Sequence, residues 1–121
     1  MMLGINMIGV SEAFKLSSKF GISSKTFFEI CSTSTGSSWA MLNHLPIKDI
    51  VKTSAANNGY RPGYAAKLIL KDLKIAKDMA EKVTLKTHMG KKAYQLYDSF
   101  CKKDNKNLDY SAIIKVLSKS K

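Results

Sequence analysis

Lys71 and Asp72 are the residues best able to do chemistry, and they sit on a segment that reads as an amphipathic helix over residues 64–82. Tyr64, Leu68, Ile75 and Met79 recur at helical spacing and predict its inward stripe. Asp72 follows Leu68 by four residues and precedes Ile75 by three. At about 100° per residue this sets a carboxylate inside the apolar stripe, with Lys71 at the stripe's edge. A charge in an apolar interior is costly unless it is paired or hydrogen-bonded. Two readings are open. Either Asp72 is buried and satisfied by donors or a salt bridge, or its face opens onto a ligand.

The other polar and aromatic candidates each carry a plainer alternative. Trp39, the single tryptophan, reads as a core anchor or as a ligand contact. His44 ends a short helical segment, where an imidazole favourably meets the helix dipole. Asn57-Asn58-Gly59 reads as a turn within a long connection over residues 45–63, and connections of that length often carry function. No glycine-rich phosphate loop follows a strand, and no Ser/His/Asp or Cys/His set follows from spacing. Cys31 and Cys101 stand at no ligand spacing and read as free, mostly buried thiols. His44 and His88 have no partners at ligand spacing, so no metal site is expected.

These candidates must be positioned by helices. Residues 2–20 predict a first helix closed by Gly21 at its C′ position. Leu3, Met7, Val10 and Phe14 line one of its faces, and Met1, Ile5 and Ile8 a second, so it should be buried on both sides. It lacks a capping side chain and an acidic first turn, which predicts that the helix continues upstream of Met1. Ser23 or Ser24 caps a helix through residue 32 that buries Phe27, Phe28, Ile30 and Cys31. A short helix over residues 37–43 carries Trp39 and Leu42. After the helix of residues 64–82, Thr87 caps one over residues 88–103 with Met89, Ala93, Leu96, Tyr97 and Phe100 inward. Asp109 caps a last helix, residues 110–118, that buries Ala112, Ile113, Val116 and Leu117, ahead of a basic, frayed tail. No strand or hairpin signal is convincing. The fold class is therefore all-α, a bundle-like domain of about six helices.

Composition narrows the function. The 121 residues predict one domain, and 45% hydrophobic content is enough for a real core. Lys and Arg number 20 against 9 Asp and Glu, a net charge of +11, yet Arg61 is the only arginine. Nucleic-acid readers rely on arginine forks, whereas these scattered lysines read as solvated surface, so no nucleic-acid partner is expected. The apolar start, residues 1–10, is too short to span a membrane and lacks the marks of a signal peptide, so no membrane partner is expected either.

Several motifs together carry a family resemblance. They are Ile8-Gly9 with Glu12-Ala13, the stretch from Ser34 to Trp39, the stretch from Ser54 to Asn58, Pro62-Gly63-Tyr64, and above all L-I-L-K-D-L-K-I-A from Leu68 to Ala76. On these, the chain resembles the β-hydroxyacid dehydrogenases, from Met1 to about Lys119. Its fold would then resemble the C-terminal domain of 6-phosphogluconate dehydrogenase-like enzymes. The resemblance implies a two-domain enzyme. An N-terminal Rossmann domain, absent from this chain, binds NAD. A helical C-terminal domain, here residues 1–121, closes over the cleft and forms the dimer.

The family's general acid/base lysine, with an asparagine four residues later, would lie upstream of Met1, leaving no catalytic residue in this chain. The resemblance assigns Lys71 to the cofactor, and Trp39, His44, Tyr64 and Asp72 to the substrate pocket. His44 stands where relatives usually have tyrosine, and Tyr64 where many have phenylalanine; both bear on the substrate. The implied activity is NAD-dependent oxidation of a small 3-hydroxy acid, 3-hydroxyisobutyrate, to methylmalonate semialdehyde. That is a step of valine breakdown in the mitochondrial matrix, and the chain alone would be inactive. The alternatives are a reductase of another small semialdehyde, such as tartronate or succinic semialdehyde, or, from a different class, a lysine-rich helical adaptor.

Overall fold

In the computed structural model, residues 1–117 are described, and their order follows from a few local signals. Helix α1 (Met2–Lys19) begins without a side-chain cap. It ends in a Schellman arrangement: Ile22 N–H donates to Ser17 O and Gly21 N–H to Ser18 O, each 3.1 Å. Gly21 takes φ +77°, a left-handed conformation that glycine adopts without Cβ strain. Ser23 caps α2 (Ser24–Ser32), and Ser38 caps α3 (Trp39–His44), each accepting from a backbone N–H. Helix α4 (Ala66–Lys82), α5 (His88–Phe100) and a short α6 (Ile114–Leu117) complete the set. Among the described residues the only sheet-like pairing is one antiparallel bridge, Ala65 with Asp109. The architecture is the expected all-α one.

Helix α1 runs through the middle and touches α2, α3, α5 and α6. Both of its apolar faces are used. Met7 and Phe14 are fully buried, Ile8 is buried on the second face, and Leu3, Ile5 and Val10 are half-buried. Full burial of a side chain such as Met7 or Phe14 is worth roughly 1.5–3 kcal/mol. Gly4 lets α4 approach closely: a Cβ there would stand 3.2 Å from Leu73 Cδ1. A second core of Phe14, Met41 and Leu45 sits toward α2, where the Phe14 and Phe27 rings meet edge-to-face at 4.9 Å.

Several expectations are corrected. Helix α4 starts at Ala66, because residues 64–66 instead pair with residues 108–110 in extended form. Its core face is Ala66, Ile69, Leu73 and Ala80, while Leu68, Ile75 and Met79 are 41%, 51% and 63% exposed. The helix carries two apolar stripes, and the domain's own core takes the one with the smaller side chains. Helix α5 stops at Phe100, since Lys103 and Asp104 (φ +67°) leave helical geometry in a π turn, Cys101–Asn105. Met89 and Ile30 point to solvent, because α5 and α2 each pack along a narrower face than the spacing suggested. The last helix opens as a 3-10 turn, Tyr110–Ile113, capped by Asp109 as expected. The free cysteines Cys31 and Cys101 are only partly buried. The expected basic tail lies outside the described residues.

Candidate functional site

The loop between α3 and α4 is held by side chains acting on backbone. Ser54 Oγ donates to Leu45 O at 2.5 Å and accepts from Ala56 N–H. Asn57 accepts from Asp49 N–H at 2.8 Å and donates to Val51 O at 2.9 Å. The Asn-Asn-Gly motif is thus a 3-10 turn, Ala55–Asn58, closed by Gly59 at φ +70°, and it braces the loop as well as turning it. Thr53 and Tyr60 tie the loop's ends to Asn43 O and Pro46 O. Four side chains fixing one loop leave little for it to lose in flexibility when a ligand binds.

The loop's exit is joined to the start of the last helix. Asp109, only 4% exposed, accepts at Oδ2 from Gly63 N–H and Tyr64 N–H, both 3.1 Å. Its Oδ1 accepts from Ser111 N–H at 3.0 Å and from the Ser111 hydroxyl at 2.5 Å. Tyr110 N–H donates to Tyr64 O at 2.8 Å. A buried carboxylate with this many donors is well satisfied and sets the backbone that carries Tyr64.

Tyr64 leads to Asp72. The Tyr64 hydroxyl donates to Asp72 Oδ2, and Lys71 Nζ lies 3.2 Å from Asp72 Oδ1. Asp72 is 45% exposed and Lys71 62%, so the carboxylate is neither buried nor alone. Asp72 is thus satisfied by a phenol and an ammonium, as the first reading had it, but on a half-open face and not in the core. The Tyr64 hydrogen bond, ahead of Lys71, holds the Asp72 carboxyl below its ordinary value. Burial and the Asp72 carboxylate push the Tyr64 phenol well up, so it stays a donor at neutral pH.

On its other side Tyr64 meets Tyr110 edge-to-face at 5.5 Å. Tyr110 meets His44 at 5.6 Å and shares with its Nδ1 a hydrogen bond of 2.8 Å, whose direction follows the imidazole tautomer. His44 in turn packs edge-on to Trp39 at 4.7 Å. Trp39 is 61% exposed, which corrects its reading as a core anchor. Every predicted site residue therefore falls on one row: Trp39, His44, then Tyr64, Asp72 and Lys71. Tyr110 links the two halves, and Asp109 fixes their spacing. Those two were missed as site residues. Asp109 was visible as a cap, but no local pattern marks a tyrosine that meets His44 across 66 residues. The row can present hydrogen-bond donors, a carboxylate and flat apolar surface to a small polar ligand, with a cation at one end.

Residues 1–117 match the family described as NAD-binding of NADP-dependent 3-hydroxyisobutyrate dehydrogenase. The chain is 36% identical over 121 residues to the mitochondrial 3-hydroxyisobutyrate dehydrogenase of Drosophila melanogaster, covering 100% of this chain and 37% of that protein. It is 35% identical over 117 residues to the probable 3-hydroxyisobutyrate dehydrogenase of Mycobacterium tuberculosis, covering 97% and 40% respectively. A solved structure of the Mycobacterium tuberculosis 3-hydroxyisobutyrate dehydrogenase with L-serine superposes with a TM-score of 0.94 at 35% identity, over 97% of this chain and 40% of that one. The Salmonella typhimurium 3-hydroxyisobutyrate dehydrogenase shares the fold, with a TM-score of 0.81 at 22% identity over 95% of this chain and 38% of that one. The chain thus spans 37–40% of the length of these two curated relatives.

Proposed function

This chain belongs to the 3-hydroxyisobutyrate dehydrogenase family, and from that premise we propose that it is the helical, cleft-forming domain of an NAD-dependent oxidoreductase. The parent reaction is oxidation of 3-hydroxyisobutyrate to methylmalonate semialdehyde, in the context of valine breakdown. The observation that carries this reading is the row from Trp39 to Lys71. Its open face is lined by the exposed stripe of Leu68, Ile75 and Met79. An apolar stripe that its own domain does not cover suits a face that a partner domain closes. We assign the dinucleotide-binding Rossmann domain, and the general acid/base lysine, to sequence outside these residues.

The residues present fit a nicotinamide cofactor on chemical grounds. The Lys71 ammonium and Tyr64 phenol are donors on an open face, and Leu68 offers apolar contact to a ring. When bound, the cofactor supplies the hydride-accepting ring of the reaction. The chain's own residues orient and exclude water. Asp72 holds Tyr64 in place, Lys71 balances Asp72 and would help to hold the cofactor, and Trp39 and His44 would wall the substrate side. Without the second domain the chain has no general acid/base, so on its own it is inactive. A homodimer and placement in the mitochondrial matrix belong to the same proposal, the latter supported by relatives named mitochondrial.

The test is a steady-state panel on the full-length protein. It pairs 3-hydroxyisobutyrate, and tartronate and succinic semialdehydes for the reverse direction, with NAD and NADP couples. The proposal expects the highest kcat/KM for 3-hydroxyisobutyrate with NAD. A preference of about tenfold or more for either semialdehyde would replace the substrate assignment. NAD-linked turnover by the isolated chain would remove the assignment of the acid/base outside it.

A further inference from the structure

The braced loop between α3 and α4 borders an open cavity of about 340 Å³, and of the row from Trp39 to Lys71 His44 alone lines it. Lys52 and Arg61, the only arginine of the chain, both line it. Among the described residues neither has a carboxylate within ion-pair distance, whereas Lys71, Lys74, Lys77 and Lys102 each have one. Asp109 also lines the cavity, but its oxygens already accept from Gly63, Tyr64 and Ser111. Asn57 likewise spends its side chain on the loop's own backbone. What remains is a wall with two cations, the Asn58 amide and the His44 imidazole around a preformed space.

We propose that this cavity is a binding site for an anionic group, a carboxylate or a phosphate, carried by a small molecule. An arginine and a lysine among the lining residues of one concave, hydrogen-bond-rich space favour an oxyanion over a neutral ligand. The bracing of the loop means the walls do not have to be ordered when the anion arrives. The site also has a line to the row. His44 belongs to both, and Gly63 lines the cavity one residue before Tyr64, its N–H sharing Asp109 Oδ2 with that of Tyr64. An anion drawn toward Arg61 therefore acts on the same short backbone that carries the Tyr64 hydroxyl. This site stands on the loop's own geometry and holds whichever substrate the parent enzyme takes.

The experiment titrates the full-length protein with inorganic phosphate and, separately, with malonate, following backbone amide resonances of Asn58, Gly63 and Tyr64. The comparison set is Arg61→Gln, Lys52→Gln and, at a remote surface position, Lys86→Gln. The expected result is a saturable shift with at least one of the two anions. Affinity should fall by about tenfold in R61Q or K52Q and be unchanged in K86Q. Saturation by phosphate alone, by malonate alone or by both identifies the anionic group. Shifts that grow without saturating for both anions, or that weaken equally in all three variants, would reflect diffuse attraction to a basic surface and overturn the site. All three exchanged side chains are exposed, so the folded protein is available for each arm.

Discussion

The Tyr64 hydroxyl donates to Asp72 Oδ2 and so ties the end of the long loop to the middle of α4. That contact sets Asp72 on a half-open face, and orientation of Tyr64 is the role proposed for it. In the full-length enzyme, Asp72→Asn should lower kcat/KM by about tenfold or more while moving the unfolding midpoint little, because the carboxylate is half exposed. Steady-state kinetics and urea unfolding of the same preparation check this. A variant that loses stability and keeps its turnover would make Asp72 a structural residue.

The same contact has a pH signature. The Asp72 carboxyl titrates below its ordinary value of 3.8, chiefly because Tyr64 donates to it. A depressed carboxyl favours the folded state above the ordinary value, and that contribution is lost as the pH falls through the folded one. At a half-exposed group the contribution is small, so the measurement is a carboxyl-carbon NMR titration. Tyr64→Phe should move the Asp72 midpoint up toward 3.8, with Lys71 still holding it down. A midpoint unchanged by Y64F would remove the hydrogen bond from the account.

At the alkaline end the sign is opposite. Tyr60, Tyr64, Tyr97 and Tyr110 are all raised above the ordinary phenol value of 10.0, first of all by burial. Raised phenols add stability that is fully present below pH 10 and is lost as the pH climbs beyond it toward their folded values. Phenolate absorbance and helical circular dichroism should therefore change together above pH 10, as a cooperative unfolding. Free ionisation of Tyr60, Tyr64, Tyr97 and Tyr110 while the helices persist would contradict burial as the cause.

Much of this arrangement is legible in residues that act locally. Ser23 and Asp109 announce their helices because a cap needs only its own next few residues. Gly21 marks its stop for the same reason. The inward face of α4 is different. Leu68, Ile75 and Met79 repeat as well as Ile69 and Leu73 do, and the packing of α5 together with the close approach at Gly4 on α1 decides which set is covered. The site divides in the same way. Lys71 and Asp72 stand out in sequence, whereas the place of Tyr110 between His44 and Tyr64 exists only once distant segments pair.

Asp109 sets that pairing and should be the most sensitive polar position. Asp109→Ala strands the Ser111 N–H in a buried setting and the Gly63 and Tyr64 N–H groups in a partly buried one. Orphaned buried donors cost about 1–3 kcal/mol each, so a loss on the order of 3 kcal/mol is expected. Ser11 provides the reverse case. Its hydroxyl is fully buried with no partner among the described residues. Ser11→Ala should raise stability by about 1 kcal/mol by removing an unmet polar group. Urea midpoints of D109A and S11A moving in the same direction would contradict one of the two assignments.

The two stripes of α4 give the sharpest contrast, since they lie on one helix with similar residues. Leu73 is 1% exposed, packed against α1, and Ile75 is 51% exposed. Leu73→Ala should cost about 2–5 kcal/mol, the range for a buried leucine that leaves a cavity. Ile75→Gln should change the stability of this domain by less than about 0.5 kcal/mol, as surface exchanges do. If a second domain closes over the Ile75 face, as proposed, I75Q in the full-length enzyme should raise KM and loosen domain association while leaving the helical domain's own melting intact. Limited proteolysis between the domains reads that loosening directly. Equal destabilisation by L73A and I75Q within the helical domain would put both stripes in one core and leave no open face for a partner domain to cover.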